Sequence, residues 1–74
     1  MEEIAVRGSS PIANRSIVDA NLRQRYGIIV VGIQRQDLRI EFNPEPDTMI
    51  QSGDKLVVLG KPDSLKRLEA EAGA

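Results

Sequence analysis

Two uninterrupted apolar runs dominate the hydrophobic pattern of the chain. The first spans residues 27–35 and contains four β-branched residues in succession at 28–31; the second spans residues 55–60. β-Branched side chains suit a pleated strand more than a helix. Apolar runs without alternation are typical of strands covered on both faces, so the pattern predicts two neighbouring central strands. Gly32, inside the first run, predicts a bulge or a close approach to another backbone.

Other segments predict the remaining strands. Residues 3–7 alternate weakly and predict a first strand, whereas residues 38–42 alternate clearly and predict an antiparallel hairpin with the first apolar run. Arg39 and Glu41 are then expected to face solvent. Residues 43–47 include two prolines and predict a semi-rigid loop, and residues 48–52 remain ambiguous.

Helices are predicted on either side of the apolar runs. Ser16 stands three residues before Asp19, which predicts a capped helix beginning at Ser16, with Ile17 and Leu22 facing inward. A further turn over 22–26 is expected to stop at Gly27, because glycine readily adopts the left-handed conformation that ends a helix. Residues 62–72 begin with a proline and an aspartate and predict the last helix.

These elements predict a single α+β domain over residues 1–74, a small β-α-β-β-β-α sandwich with a mainly antiparallel sheet. Neither helix has an apolar face wide enough to cover the sheet. A domain of this size buries only about 60% of the surface of its unfolded chain. Because the sequence has no cysteine and no histidine, disulfides are excluded and a zinc site is not expected. Self-association remains the ordinary means of stabilisation, and a homodimer is predicted.

Composition argues against several classes of function. Ten basic and eleven acidic residues are interspersed, and only Tyr26 and Phe42 are aromatic, so nucleic acid is not expected as a partner. No apolar segment approaches the roughly 18 residues of a membrane span, and the start of the chain lacks the basic residues of a signal peptide. Direct membrane insertion is therefore not expected. No spacing of carboxylates or lysines predicts a catalytic pocket, so the chain is not expected to be an enzyme.

An ordered series of short motifs runs through nearly the whole chain, from about residue 3 to residue 68: Ser10-Pro11, the helix at 16–22, Leu22-Arg23-x-Arg25-Tyr26-Gly27, the apolar strand ending at Arg35, Pro44-x-Pro46-Asp47-Thr48, the stretch 53–60, and Pro62-Asp63-Ser64-Leu65. In this order and spacing the series resembles the RCK C-terminal domain, also called TrkA-C. The resemblance implies a ligand-sensing regulatory domain on the cytoplasmic side of the membrane. It would belong to a potassium channel, a potassium uptake system or a cation/proton antiporter, and would pair as a two-fold dimer.

The resemblance also implies an effector, cyclic di-AMP, which binds between the two copies in some members; no other cofactor is implied. Carried over position by position, the effector-binding residues would be Ile17, Arg23, Arg25, Ile28, Ile29 and Pro46. Apolar side chains would sandwich an adenine, while guanidinium groups bind phosphate bidentately. Ligand-binding members often carry a polar side chain near the position of Ile28 or Ile29. A purely structural dimerisation module without a ligand is the alternative.

Residue spacing constrains the two arginines of this set. Arg23 and Arg25 are two residues apart, so they do not share a helical face and only one can point at a given phosphate. The alternative interpretation is that both arginines are solvated and bind no anion. Tyr26 is expected to be a packing anchor with its hydroxyl at the surface.

Acidic residues in the loops have two interpretations. Glu45, Asp47 and Asp54 could hold a hard cation such as calcium through their oxygens, but turn chemistry explains the aspartates equally well, and no metal site is assigned. Lys61 stands where the family more often has an acidic or small residue that caps the last helix. This lysine should therefore lower helix stability rather than affect function.

Overall fold

A computed structural model describes residues 1–73. In chain order its elements are β1 (Glu2–Ala5), β2 (Arg15–Ser16), α1 (Ile17–Ala20), α2 (Leu22–Tyr26), β3 (Ile29–Gln34), β4 (Ile40–Phe42), β5 (Met49–Ile50), β6 (Lys55–Leu59) and α3 (Pro62–Ala72). The main sheet has the strand order β1, β6, β3, β4, and all neighbours are antiparallel. The two apolar runs are thus the two central strands and lie side by side. The α+β class and the mainly antiparallel sheet are confirmed.

The helix boundaries follow from local capping. Ser16 lies in an extended conformation before α1, and its Oγ accepts a hydrogen bond from the Asp19 N–H at 3.1 Å. Asn21, with φ 55°, separates α1 from α2, and Gly27, with φ 71°, ends α2. Helices this short are not stable on their own, so they depend on these caps and on the burial of Ala20 and Leu22. The predicted helix positions are confirmed.

One face of the main sheet, the inner face, carries the core. Ile33, Leu56 and Val58 point to this face and are fully buried, and α3 covers it with Leu68 and Ala72. Each such side chain contributes about 1.5–3 kcal/mol relative to an exposed one. Buried residues from the loops and short helices complete the same cluster: Ile4, Val6, Ile12, Ala20, Leu22, Tyr26, Ile28 and Ile50.

A second sheet of two short strands was not predicted. In it β2 pairs antiparallel with β5, with Arg15 opposite Ile50 and Ser16 opposite Met49. Strands of two residues are too short to show alternation, which is why residues 48–52 were ambiguous in the sequence. The pairing brings the proline loop, residues 43–48, against the start of α1.

The hairpin between β3 and β4 is confirmed, but its turn is longer than the two residues, 36 and 37, that the sequence pattern leaves for it. Leu38 belongs to the turn rather than to the strand: its φ is 73°, its side chain is exposed, and its N–H donates to the Arg35 carbonyl at 2.9 Å. The Asp37 carboxylate accepts hydrogen bonds from the backbone N–H and the Nε of Arg39 at 3.1 and 2.7 Å. The hydrogen bond from the backbone N–H, and after it the bond from the Arg39 side chain, lower the pKa of Asp37 from its ordinary value.

A β-bulge in β3 explains the run of consecutive apolar residues. Val30 pairs with Val58 and Gly32 with Val57, so Val31 has no partner on β6. Because of this extra residue, Ile29 and Ile33 lie on opposite faces, although they are four positions apart. The bulge next to Gly32 was one of the two predicted roles of that glycine.

The opposite side of the sheet, here called the outer face, is not covered by any other part of residues 1–73. Cross-strand pairing places four apolar side chains there, with relative exposures of 53% for Ile29, 44% for Ile40, 69% for Phe42 and 44% for Leu59. Phe42 lies over Gly32, where an added Cβ would be 3.4 Å from the Phe42 ring. The sequence predicted cover on both faces, and the helices of this chain supply it on the inner face alone.

The uncapped start of α3 leads to a stability prediction. Lys61 occupies the N-cap position with φ −71° and ψ 152°, and its side chain makes no capping hydrogen bond. We expect Lys61→Asp to stabilise the domain by about 1 kcal/mol, since a carboxylate can accept from the first free N–H groups and suits the positive end of the helix dipole. Urea unfolding measures the change, with Lys61→Ala as the control without a capping oxygen. Equal stability of the two variants would contradict the prediction.

Candidate functional site

An apolar groove of about 340 Å³ lies between α1, α2, the first residues of β3 and the proline loop. This volume is at the lower end of the range of small-molecule pockets, about 300–1,000 Å³. The lining is mostly aliphatic and includes one guanidinium group and two carboxamides: Ile17, Val18, Asn21, Leu22, Arg23, Gln24, Ile28, Ile29, Val30, Pro44 and Pro46.

Backbone hydrogen bonds fix the proline wall of the groove to the helix wall. The Val18 N–H donates to the Pro46 carbonyl at 2.9 Å, and the Ile17 N–H donates to the Thr48 carbonyl at 3.0 Å. These bonds also satisfy two free donors at the start of α1. The groove is therefore formed in the free chain.

Five of the six residues expected to bind an effector line this one groove. Ile28 is buried and forms part of its floor, whereas Ile29 is half-exposed and also belongs to the outer face of the sheet. Ile17, Arg23 and Pro46 complete the set. The structure brings these side chains together, and their contact with a ligand stays a prediction.

The two arginines lie in different environments, as their spacing required. Arg23 is exposed at the groove, and its guanidinium has no hydrogen-bond or ion-pair partner within residues 1–73. Arg25 lies outside the groove: its Nη2 is 2.8 Å from Glu71 Oε1 and 3.1 Å from the hydroxyl of Tyr26. Arg23 is thus the guanidinium available to an anion in the groove.

Further groove residues were missed from the sequence. Val18, Asn21, Gln24 and Pro44 also line it. A signal for Asn21 was present, because residues four apart in a helical segment share a face, and Ile17 had been placed at the site. Pro44 required knowledge of the β2–β5 pairing, which no pattern in the sequence shows.

A second concentration of polar groups lies at the hairpin turn and has a structural role. The Asp54 carboxylate, 2% exposed, is 2.5 Å from Arg35 Nη1 and also accepts from the Gln51 N–H at 2.8 Å. Arg35 additionally donates to the Met49 carbonyl at 2.9 Å and to Glu41 at 3.1 Å. Asp54 is thus engaged by Arg35 and the Gln51 N–H, and residues 1–73 contain no group of three acidic side chains placed to hold a metal ion.

None of the helices within residues 1–73 has the length and the apolar character needed to cross a membrane.

Three of the known proteins that this chain resembles show the range of the similarity. An uncharacterized transporter of Rhodopirellula baltica is 38% identical over 65 residues, which cover 88% of this chain and 12% of the transporter. The RCK_C domain dimer of S. agalactiae BusR, solved in complex with c-di-AMP, superposes with a TM-score of 0.88 at 25% identity, covering 97% of this chain and 88% of that one. The RCK C domain of the potassium transport protein KtrA, also in complex with c-di-AMP, has a TM-score of 0.78 at 28% identity over 93% of this chain and 80% of that one.

This chain corresponds to a whole domain of the family but to only a part of each whole protein that it matches. The chain spans less than half of the length of the first curated relatives it matches, 12% and 43%. The TrkA-C domain family, in contrast, matches residues 1–73. Since both its sequence and its fold agree with that family over nearly all of its residues, the chain belongs to the TrkA-C domain family.

Proposed function

We propose that the chain is a regulatory domain on the cytoplasmic side of a potassium channel, a potassium uptake system or a cation/proton antiporter, and that it works as a homodimer binding cyclic di-AMP. The KtrA and BusR domains were solved with this dinucleotide. The Rhodopirellula relative is a transporter that is much longer than this chain. We propose no enzymatic activity and no nucleic-acid contact for the domain itself.

The free guanidinium of Arg23 at an apolar groove carries the proposal. A charged group without a partner beside a preformed apolar surface suits a ligand that is apolar at one end and anionic at the other. A nucleotide has this composition, with a flat base and a phosphate. Arginine presents paired donors in a plane that matches two phosphate oxygens.

The symmetry of the ligand fits the symmetry of a dimer. Cyclic di-AMP contains two identical adenosine phosphates, and one groove of about 340 Å³ is small for the whole molecule. A two-fold dimer would present two equal grooves to the two halves. Ile29 links the groove to the outer face, because it contributes to both. We therefore propose that the second copy packs on the outer face, where it would adjoin the groove at Ile29.

Regulation would follow from differential affinity. A dinucleotide that bridges two grooves stabilises the dimer geometry in which both are correctly spaced. Only the difference in affinity between two such geometries can be transmitted to the rest of a transport protein. The domain needs no catalysis for this role.

Titration calorimetry with cyclic di-AMP tests the proposal. We expect the parent chain to bind, and Arg23→Ala to weaken binding about ten- to a hundredfold, because a charge-assisted hydrogen bond contributes about 1.5–3 kcal/mol. Arg15→Ala is the matched control, since Arg15 is exposed and lies outside the groove. Binding of Arg23→Ala as tight as that of the parent would refute the phosphate assignment.

A purely structural dimerisation module is the second candidate. The observation that favours it is that both Ile28 and Ile29 are aliphatic, so neither offers the polar contact often found there in ligand-binding members. Absence of heat at high micromolar cyclic di-AMP, together with a dimer in solution, would establish this alternative and remove the effector proposal.

A further inference from the structure

We infer that Arg25, although outside the groove, positions Arg23 through an ion pair with α3, and that this contact couples α3 to ligand affinity. The inference rests on the proposed binding of cyclic di-AMP. It assigns Arg25 and Glu71 a positioning role, which requires no contact between either residue and the ligand.

Besides the core packing, α2 and α3 are joined by hydrogen bonds and ring contacts of four side chains, here called the clamp: Arg25, Tyr26, Arg67 and Glu71. Arg25 Nη2 lies 2.8 and 2.9 Å from the two carboxylate oxygens of Glu71. Both guanidinium groups are 5.0 Å from the centroid of the Tyr26 ring. Arg67 Nη2 also donates to the Arg25 carbonyl at 3.2 Å. Side chain, ring and backbone of the last turn of α2 are therefore all held by α3.

The α3 end of the clamp is itself fixed. Ser10 Oγ is buried, donates to the Glu71 carbonyl at 3.0 Å and accepts from the Ile12 N–H at 3.2 Å. The Arg7 N–H donates to the Ala72 carbonyl at 3.0 Å. The carboxylate of Glu71 thus projects from a helix end that cannot easily shift.

The short length of α2 makes the clamp important for Arg23. α2 has five residues, with left-handed residues at both ends, Asn21 and Gly27, so it lacks the length to set its own orientation. Arg23 and Arg25 lie two positions apart in this helix, and therefore on different sides of it. Rotation of α2 moves both arginines together. Holding Arg25 on α3 consequently holds Arg23 at the groove.

The clamp is not explained by stability alone. Arg25 and Glu71 have side-chain exposures of 46% and 19%, and pairs of this exposure contribute little to folding. Their geometry instead holds the backbone of α2, from which Arg23 projects, so that less backbone freedom is lost when a phosphate binds.

A double-mutant cycle on the intact chain tests the inference. We expect Glu71→Ala to weaken cyclic di-AMP binding about fivefold, while Glu69→Ala, which removes an exposed carboxylate of the same helix, leaves affinity unchanged. In an Arg23→Ala background the same Glu71→Ala change should have no further effect, because the residue that the clamp positions is gone. A general structural role would weaken binding equally in both backgrounds.

Hydrogen exchange supplies a measurement without ligand. Glu71→Ala should speed exchange of the Arg25 and Gly27 amides, which bond to the Asn21 and Arg23 carbonyls, while leaving the amides of β6 unchanged. Unchanged exchange in α2, or parent-like affinity of Glu71→Ala, would overturn the positioning role and leave the proposed function intact. Absence of binding by the parent chain would overturn both.

Discussion

Replacing Asp54 by alanine is expected to destabilise the domain by about 3–5 kcal/mol, because it breaks a buried ion pair and leaves Arg35 with only the exposed Glu41 as a counter-charge. Arg35 is only 14% exposed and would lose the partner at 2.5 Å, while the Gln51 N–H would lose its acceptor. A domain of this length has a free energy of unfolding of the order of 5 kcal/mol. Urea unfolding followed by circular dichroism should therefore show a variant that is largely unfolded or close to it.

The same arginine provides the control. Glu41 also pairs with Arg35, at 3.1 Å, but its side chain is 45% exposed, so Glu41→Ala should cost less than about 1 kcal/mol. The Asp54→Asn variant separates the contribution of the charge to stability from that of the hydrogen bond, since an amide oxygen can still accept from the Gln51 N–H. Similar losses for Asp54→Ala and Glu41→Ala would show that burial does not determine the strength of this cluster.

Replacing Leu59 by glutamate is expected to abolish self-association while the chain stays folded. Leu59 is 44% exposed on the outer face, so a carboxylate there remains hydrated in a single chain. In the proposed dimer two such carboxylates would be removed from water, which should raise the dimer dissociation constant at least about a hundredfold. Sedimentation at tens of micromolar measures the change from a dimer to a species of 8.1 kDa.

A glutamate introduced at an exposed position outside the outer face is the matched control for Leu59→Glu. Ala70 is exposed on α3, away from the outer face, and Ala70→Glu adds the same charge without altering association. Leu59 does not line the groove, so loss of cyclic di-AMP binding by Leu59→Glu would report on the dimer rather than on direct ligand contact. A dimer that persisted with Glu at position 59 would refute the proposal that the outer face is its interface.

Local chemistry made the main elements predictable from the sequence. Ser16 and Gly27 mark helix ends through the caps that the structure shows, and the two β-branched runs became adjacent central strands. In each case the determining interaction lies within a few residues along the chain. Residues 48–52 were ambiguous because β5 is defined only by its partner β2, more than thirty residues earlier.

Five of the residues that line the groove were predicted from the resemblance to the RCK C-terminal domain, and local structure explains why several of them meet. Ile17, Arg23 and Ile28 are brought together by two short helices and the strand that follows them directly. The separation of Arg25 from Arg23 followed from helical geometry, but the partner of Arg25 did not. Glu71 lies 46 residues away in the sequence, and no local pattern connects it to α2.

The bulged Val31, which lacks a partner on β6, has a consequence for how the chain tolerates changes in length. Because of this extra residue, the outer-face residues of β3 have odd numbers before Val31 and even numbers after it. Deletion of Val31 would therefore restore strict alternation with Ile29 and Ile33 on their present faces, whereas regular pairing of Val31 with β6 would turn one half of the strand over and place Ile33 in solvent or Ile29 in the interior. At this point the pairing register of β3, and not the hydrophobicity of its residues, decides which side chains face a neighbouring molecule.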